Sequence, residues 1–280
     1  METAALALVL GAAFLHALWN AILKAARGER AVVLAGISAT HALAGIALIA
    51  LAEPPARASW LPLGLSTLLH YAYYMLLYRG YRLGDLSLVY PIARGLAPFV
   101  VALSAALLIG EVLPVQGWVG LAAISGGIGL LALQARGGTA SPEAIAVAAL
   151  LGLSIAAYSV SDGIGIRASG SALGYMGWLF VLEFPVPLAV TLARLRGRRR
   201  IEPRSVLIGL GGGVFAVTAY GLVLYANTLA PLGAVSAVRE SSVIIAALIG
   251  VVLFGERPWR GRLLAAGCVA LGVLLLASGG

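Results

Sequence analysis

Ten times along this chain, about twenty consecutive residues pass with scarcely an ionisable side chain among them. The runs are roughly 3–23, 31–51, 59–78, 86–109, 114–134, 143–165, 171–193, 205–228, 233–254 and 260–278. A helix of that length spans the roughly 30 Å hydrocarbon core of a bilayer. Within that core every backbone N–H and C=O must find its partner inside the protein, which leaves helices or a closed barrel. Barrel strands alternate apolar and polar residues, and these runs do not, so helices are expected. A soluble fold is excluded by composition: 61% of residues are hydrophobic and 11% charged, against about 45–50% and about 25% in soluble domains. The connections are short and punctuated by Pro or Gly, as at Pro54-Pro55, Pro142, Pro203 and Pro231. The expectation is an all-α integral membrane protein of ten transmembrane helices in one bundle, in the cell (plasma or inner) membrane.

The formal charge of +8 does not point to nucleic acid, because the basic residues sit in short clusters between apolar runs and form no aromatic-interleaved basic face. Loops after odd-numbered spans carry Lys24, Arg27, Arg30, Arg79, Arg82, Arg136, the six arginines from Arg194 to Arg204, and Arg257, Arg260 and Arg262. Only Arg57 and Arg167 lie on the other side. The positive-inside rule then puts both termini outside the cytoplasm, with Arg198-Arg199-Arg200 as a topology determinant. The apolar start of the chain lacks a preceding basic segment and reads as the first span, not a cleaved signal. The single cysteine, Cys268, forms neither an internal disulfide nor a thiolate metal site.

Residues 94–132 align with 239–277 at a constant offset. Arg94 falls on Arg239, Gly110-Glu111 on Gly255-Glu256, and Leu130-Leu131-Ala132 on Leu275-Leu276-Ala277. An intramembrane Arg recurring in register is the informative match. A repeat of five spans is odd, so the second copy enters the membrane with opposite orientation, and the placement of basic loops agrees. A 5+5 inverted repeat is expected, with residues 1–138 and 139–280 as its units. Such repeats characterise alternating-access transporters.

Over essentially its whole length the chain resembles the EamA-type branch of the drug/metabolite transporter superfamily. The resemblance rests on Leu107-Leu108-Ile109-Gly110-Glu111 and Val252-Leu253-Phe254-Gly255-Glu256, each closing the fourth helix of a five-helix unit. His16-Ala17-Leu18-Trp19-Asn20 and Tyr90-Pro91-Ile92-Ala93-Arg94-Gly95 resemble a subgroup associated with phosphonate-utilisation loci. What the resemblance implies is a ten-helix carrier of small metabolites, often an exporter, with a central cavity between the halves. Relatives are commonly described with cytoplasmic termini, whereas the loop charges here put the termini outside.

Ionisable groups within spans are costly and face the bundle interior or a wet cavity. Five qualify: Arg94, Asp162, Glu183, Arg239 and Glu240. Arg94 and Arg239 lie about a third of the way along inverted spans and so approach the midplane from opposite sides. Two guanidinium groups beside one cavity suit a substrate bearing a carboxylate, phosphate or phosphonate. The alternative is structural: Arg94 pairs with Glu183, and Arg239 with Asp162 or Glu240. Glu183 is central in its span and precedes Pro185 and Pro187, which should kink the helix there. A carboxylate in a low-dielectric setting exchanges a proton more readily near neutral pH, so Glu183 is the first candidate coupling group. Glu240 and Asp162 follow it, though Asp162 also reads as interfacial beside Arg167. His16, Trp19 and Asn20 share one helix face, and Tyr90 shares the face of Arg94. With Tyr158 and Tyr220 they form a candidate substrate-contacting set, each alone equally compatible with helix packing.

No catalytic constellation is present, so an enzyme is not expected. The histidines His16, His41 and His70 fall on different spans without short ligand spacing, and neither metal nor cofactor is expected. Gly163-x-Gly165-x-x-Ala168 follows no strand and is not a dinucleotide loop. The pairs Gly209/Gly213 and Gly170/Gly174 have the spacing that lets helices pack closely. The expected partners are a small-molecule substrate and the bilayer, with the chain acting as a monomer or homodimer. The competing reading is a structural or sensory membrane protein, favoured by fully paired arginines and a solid bundle centre.

Overall fold

In a computed structural model, the described residues are 1–25, 30–83, 86–134, 141–196, 202–254 and 259–278, and they are organised as helices. In chain order these are α1 (Thr3–Ala25), α2 (Arg30–Leu51), α3 (Trp60–Leu83), α4 (Leu86–Ile109), α5 (Val115–Gln134), α6 (Pro142–Ala168), α7 (Ala172–Glu183), α8 (Pro185–Leu195), α9 (Pro203–Ala226), α10 (Leu232–Arg239), α11 (Ser241–Phe254) and α12 (Trp259–Ser278). A 3₁₀ turn at Arg57–Ser59 leads into α3. Among the described residues, eight segments are long and apolar enough to cross a membrane: α1, α2, α4, α6, α7 with α8, α9, α10 with α11, and α12. In α5 the apolar stretch is shorter, Val115–Leu131. The tyrosines of α3, with His70 and Arg79, lower its hydropathy below that of the others. Side chains such as Leu51, Leu61, Leu107 and Val252 stand well exposed, the surface that lipid tails cover. The chain is a multi-pass membrane protein.

Two of the expected continuous spans are broken. The seventh divides at Phe184, where Pro185 begins a new helix because it has no N–H to continue the ladder. The ninth divides at Glu240 without a proline or glycine. Both breaks fall beside intramembrane charges. In α4, by contrast, Pro91 and Pro98 are accommodated without interrupting the helix.

Local signals set other boundaries. Ser141 caps α6 by accepting from the Ala144 N–H at 3.1 Å, with Pro142 in the first turn. Ser171 caps α7 by accepting from Gly174 N–H at 3.2 Å. Gly110 and Gly170 hold φ of 72° and 66°, conformations that favour glycine, and they end α4 and separate α6 from α7. Gly170 is therefore a turn residue and not half of a packing pair.

The bundle is assembled from close helix pairs: α5 with α12, α2 with α9 and α7, α3 with α6, α4 with α6, α1 with α9 and α11, and α10 with α4. Glycines let α2 and α9 approach. A Cβ on Gly209 would stand 2.6 Å from the Val33 carbonyl oxygen and 3.0 Å from Gly36 Cα. One turn on, Thr40 Oγ1 donates to Leu210 O at 3.2 Å across the same seam. Gly209→Val should force these helices apart and lower stability by about 1–3 kcal/mol in detergent or lipid unfolding; an unchanged midpoint would contradict this packing.

Several sequence-level features lie outside the described residues: Arg27, Arg136, the run Arg198-Arg199-Arg200, Gly255-Glu256, Arg257 and the boundary between residues 138 and 139. The side chain of Tyr90 lies outside them as well.

Candidate functional site

A cavity of about 130 Å³ lies between the helices. It is lined by His16, Trp19 and Asn20 of α1, Arg94 of α4, Tyr158 of α6, Tyr220 of α9 and Arg239 of α10, with Tyr73, Leu77, Ala12, Ala219 and Val223. The face expected on α1 is formed by local bonds. Asn20 Nδ2 donates to the His16 carbonyl at 2.7 Å, and Trp19 Nε1 donates to His16 Nδ1 at 3.4 Å. The i, i+3, i+4 spacing makes those contacts possible within one helix.

The two arginines meet on one carboxylate. Arg94 Nε is 2.6 Å from Glu240 Oε2, and Arg239 Nη2 is 3.5 Å from Glu240 Oε1. Arg94 Nη2 also donates to Ser242 Oγ at 3.3 Å. Glu240 is completely buried, and both arginines nearly so. The break between α10 and α11 positions this group, because Glu240 ends one helix while Ser242 belongs to the next. Arg94 therefore pairs with Glu240 and not with Glu183. Two cations share one anion, which leaves the cluster one positive charge in excess when all three are ionised. Of the two, Arg239 holds the carboxylate by the longer contact, and its Nε is buried without a hydrogen bond among the described residues. A buried donor of a charged group left in this way is costly, and an anion in the cavity would satisfy it.

The other candidates form a second network. Asp162 is 1% exposed, so it is not interfacial. Its Oδ1 accepts from Tyr175 Oη at 3.1 Å and its Oδ2 from Tyr220 Oη at 2.5 Å. Glu183, also buried, ends α7 and lies outside the cavity lining, with Oε1 3.1 Å from His70 Nδ1. His70 Nδ1 is 2.9 Å from the Ser66 carbonyl, and its Nε2 is 3.3 Å from Tyr220 Oη. The Tyr158 ring stacks on His70 with centroids 3.9 Å apart. Among the described residues, Tyr220 and Tyr158 join this network to the cavity.

A smaller pocket of about 10 Å³ shares Tyr220, Val223 and Arg239 with the cavity. It runs past Asp162 and Ser236 to Asn227 and Leu232, at the junction of α9 and α10. That volume suffices for roughly one water. At the same junction Arg167 contacts Glu111 Oε1 at 2.6 Å, Asn227 O at 2.6 Å and Ala230 O at 2.8 Å. Glu111 Oε2 in turn accepts the Leu232 N–H at 2.9 Å, at the start of α10.

Sequence reasoning did not single out His70, Ser66, Tyr175 or Ser242. The i, i+4 spacing of Ser66 and His70 is a local signal, whereas the contacts to α7 and α9 carry none. The three histidines do not converge, and among the described residues no group of three or more His, Cys, Asp or Glu is placed to hold a metal.

Residues 143–278 match the model of the EamA-like transporter family. One solved crystal structure, described only as that of a protein, superposes with a TM-score of 0.76 at 16% identity, over 99% of this chain and 99% of that one; the likeness is one of fold. No curated protein matches the chain.

Proposed function

We propose that this chain, a member of the EamA-like transporter family through residues 143–278, is a secondary carrier that moves a small anionic metabolite by alternating access, in the direction of export. The observation that carries the reading is the cavity where Arg94 and Arg239 meet over a single carboxylate. Arg239 holds the carboxylate or phosphonate of the substrate, and Trp19, His16, Asn20, Tyr158 and Tyr220 shape the rest of the site. Tyr90 belongs to this set by its place on α4. Glu183, Glu240 and Asp162 are the carboxylates available for coupling. A structural or sensory protein is favoured by a solid bundle interior, and the cavity of about 130 Å³ lined by Arg94 and Arg239 speaks against that.

The architecture is ten spans in a 5+5 inverted repeat, with units 1–138 and 139–280. The packing supports this. Exchanging one set of five spans for the other turns the α3–α6 contact into α9–α1. The same exchange turns α4–α6 into α10 and α11 against α1, and α4–α5 into α11–α12. The pairs α5–α12, α2–α7 and α4–α10 map onto themselves. Each of these contacts exists.

The test is uptake into proteoliposomes, with radiolabelled methylphosphonate and propionate as probes. Saturable exchange of either, absent from protein-free vesicles, supports the carrier; no exchange of any small anion removes it. Orientation is tested separately. The loop charges put both termini outside the cytoplasm of the cell membrane. A C-terminal phosphatase fusion should therefore be active and a C-terminal fluorescent fusion dark, and the reverse pattern would invert the topology.

A further inference from the structure

Asp162, Tyr220, His70 and Glu183 form one unbroken line of short contacts. Asp162 Oδ2 meets Tyr220 Oη at 2.5 Å, Tyr220 Oη meets His70 Nε2 at 3.3 Å, and His70 Nδ1 meets Glu183 Oε1 at 3.1 Å. These groups come from α6, α9, α3 and α7, so the line crosses the bundle and does not run along one helix. Its Asp162 end lines the small pocket, its Tyr220 position borders both hollows, and its Glu183 end lies at the break between α7 and α8.

Hydrogen counting restricts what such a line can be. The Ser66 carbonyl can only accept, so the 2.9 Å contact at His70 Nδ1 requires a proton on that nitrogen. A phenol has one proton to give. If Tyr220 donates to Asp162, then His70 Nε2 must donate to the Tyr220 oxygen, and the ring is imidazolium. If Tyr220 donates to His70 Nε2, then Asp162 must carry a proton and donate to the Tyr220 oxygen, and the ring is neutral. The two arrangements hold the same number of protons and the same net charge. They interconvert when the Nε2–H bond breaks as a Tyr220 O–H bond forms, while the original Tyr220 O–H bond breaks as an Asp162 O–H bond forms.

We infer that Asp162, Tyr220 and His70 constitute a proton relay leading from the small pocket into the protein, with His70 as its carrier and Glu183 as the counter-charge at its inner end. This rests on the carrier reading and names its coupling ion as the proton. The line can move a proton between Asp162 and His70 without any charge crossing open space, and Glu183, 3.1 Å from Nδ1, steadies the imidazolium form. Other groups facing it set its energetics. Tyr158 of α6 stacks on His70, Tyr175 donates to Asp162, and Tyr71, which donates to the Leu182 carbonyl, stands near Glu183 together with Tyr74. Arg239 of α10 is the cation nearest in effect to His70 and Asp162. An anion arriving on Arg239 would weaken that cation's repulsion of an imidazolium, which links occupancy of the cavity to where the proton sits.

Two measurements on the full chain in lipid test this. The first is infrared difference spectroscopy of carboxyl groups during a pH titration, which requires no substrate. In the parent, the Asp162 and Glu183 bands should titrate as a coupled pair, with apparent midpoints belonging to the pair. His70→Gln, and independently Tyr220→Phe, should uncouple them so that each titrates alone. Identical titrations in parent and both variants would overturn the relay. The second uses vesicles with an imposed pH difference and an internal pH dye, with methylphosphonate as probe. His70→Gln should keep exchange but slow the associated proton movement by about tenfold or more, or about 1.4 kcal/mol in barrier. Proton movement at the parent rate would also overturn it. Failure of the parent to exchange any probe would remove the carrier reading while leaving the infrared result to decide the relay.

Discussion

Glu240→Ala is expected to destabilise the protein by about 3–5 kcal/mol, measured by thermal or denaturant unfolding in lipid nanodiscs. The carboxylate is completely buried and is contacted by two guanidinium groups that are themselves nearly inaccessible. Removing it leaves two like charges facing each other in a medium that screens them poorly, which is worse than losing one pair. The large effect would therefore come from what remains, not from the intrinsic worth of the ion pair. That distinction gives the second arm. Replacing Arg94 and Glu240 together by Leu and Gln removes one of the two like charges along with the carboxylate and should restore part of the loss, since only Arg239 then lacks its anion. A double variant destabilised by the sum of the two single changes would mean that the residues act independently of each other.

Arg239→Gln should have the opposite profile. Glu240 keeps its shorter contact with Arg94 at 2.6 Å, so the unfolding free energy should stay within about 1 kcal/mol of the parent. Binding should suffer far more. Arg239 carries a buried Nε without a hydrogen bond among the described residues, its Nη2 meets Glu240 only at 3.5 Å, and it borders both hollows. An anion held there would lose a charge-assisted partner worth at least about 2 kcal/mol, or roughly thirtyfold in affinity. Titration of methylphosphonate or propionate onto purified protein reads this directly. Unaltered affinity in the variant would move the substrate's anionic group elsewhere; a collapse of stability would make Arg239 structural.

How much of this was legible beforehand depended on whether the signal was local. Among the described residues, eight of the expected spans were readable because hydrophobic length and continuity alone dictate a membrane helix, and Pro185 announced the break before α8. The clustering of His16, Trp19 and Asn20 was readable from i, i+3 and i+4 spacing, and all three line one cavity with Arg94 and Arg239. The break at Glu240 was not readable, since no proline or glycine marks it; it accompanies the burial of a carboxylate against arginines from two helices. Pairing across helices was equally hidden. Arg167, five residues beyond Asp162, reaches a different partner, Glu111, from a loop far earlier in the chain. His70 looked like an isolated histidine because α6, α7 and α9 supply its neighbours.

The grip of Arg167 has a kinetic meaning. One planar group holds Glu111 and the carbonyls of Asn227 and Ala230, and Glu111 simultaneously occupies the first N–H of α10. A fork bonded on three sides cannot loosen by degrees, since a small displacement of the α6 end strains all its bonds together. The junction of α9 and α10 should thus be shut against the α6 end or released as a unit, with few half-open configurations. What such a latch governs is the dwell time of the shut form more than the affinity for cargo. Substitutions at Arg167 or Glu111 should then show up as altered occupancy of two states and not as a graded change in binding strength.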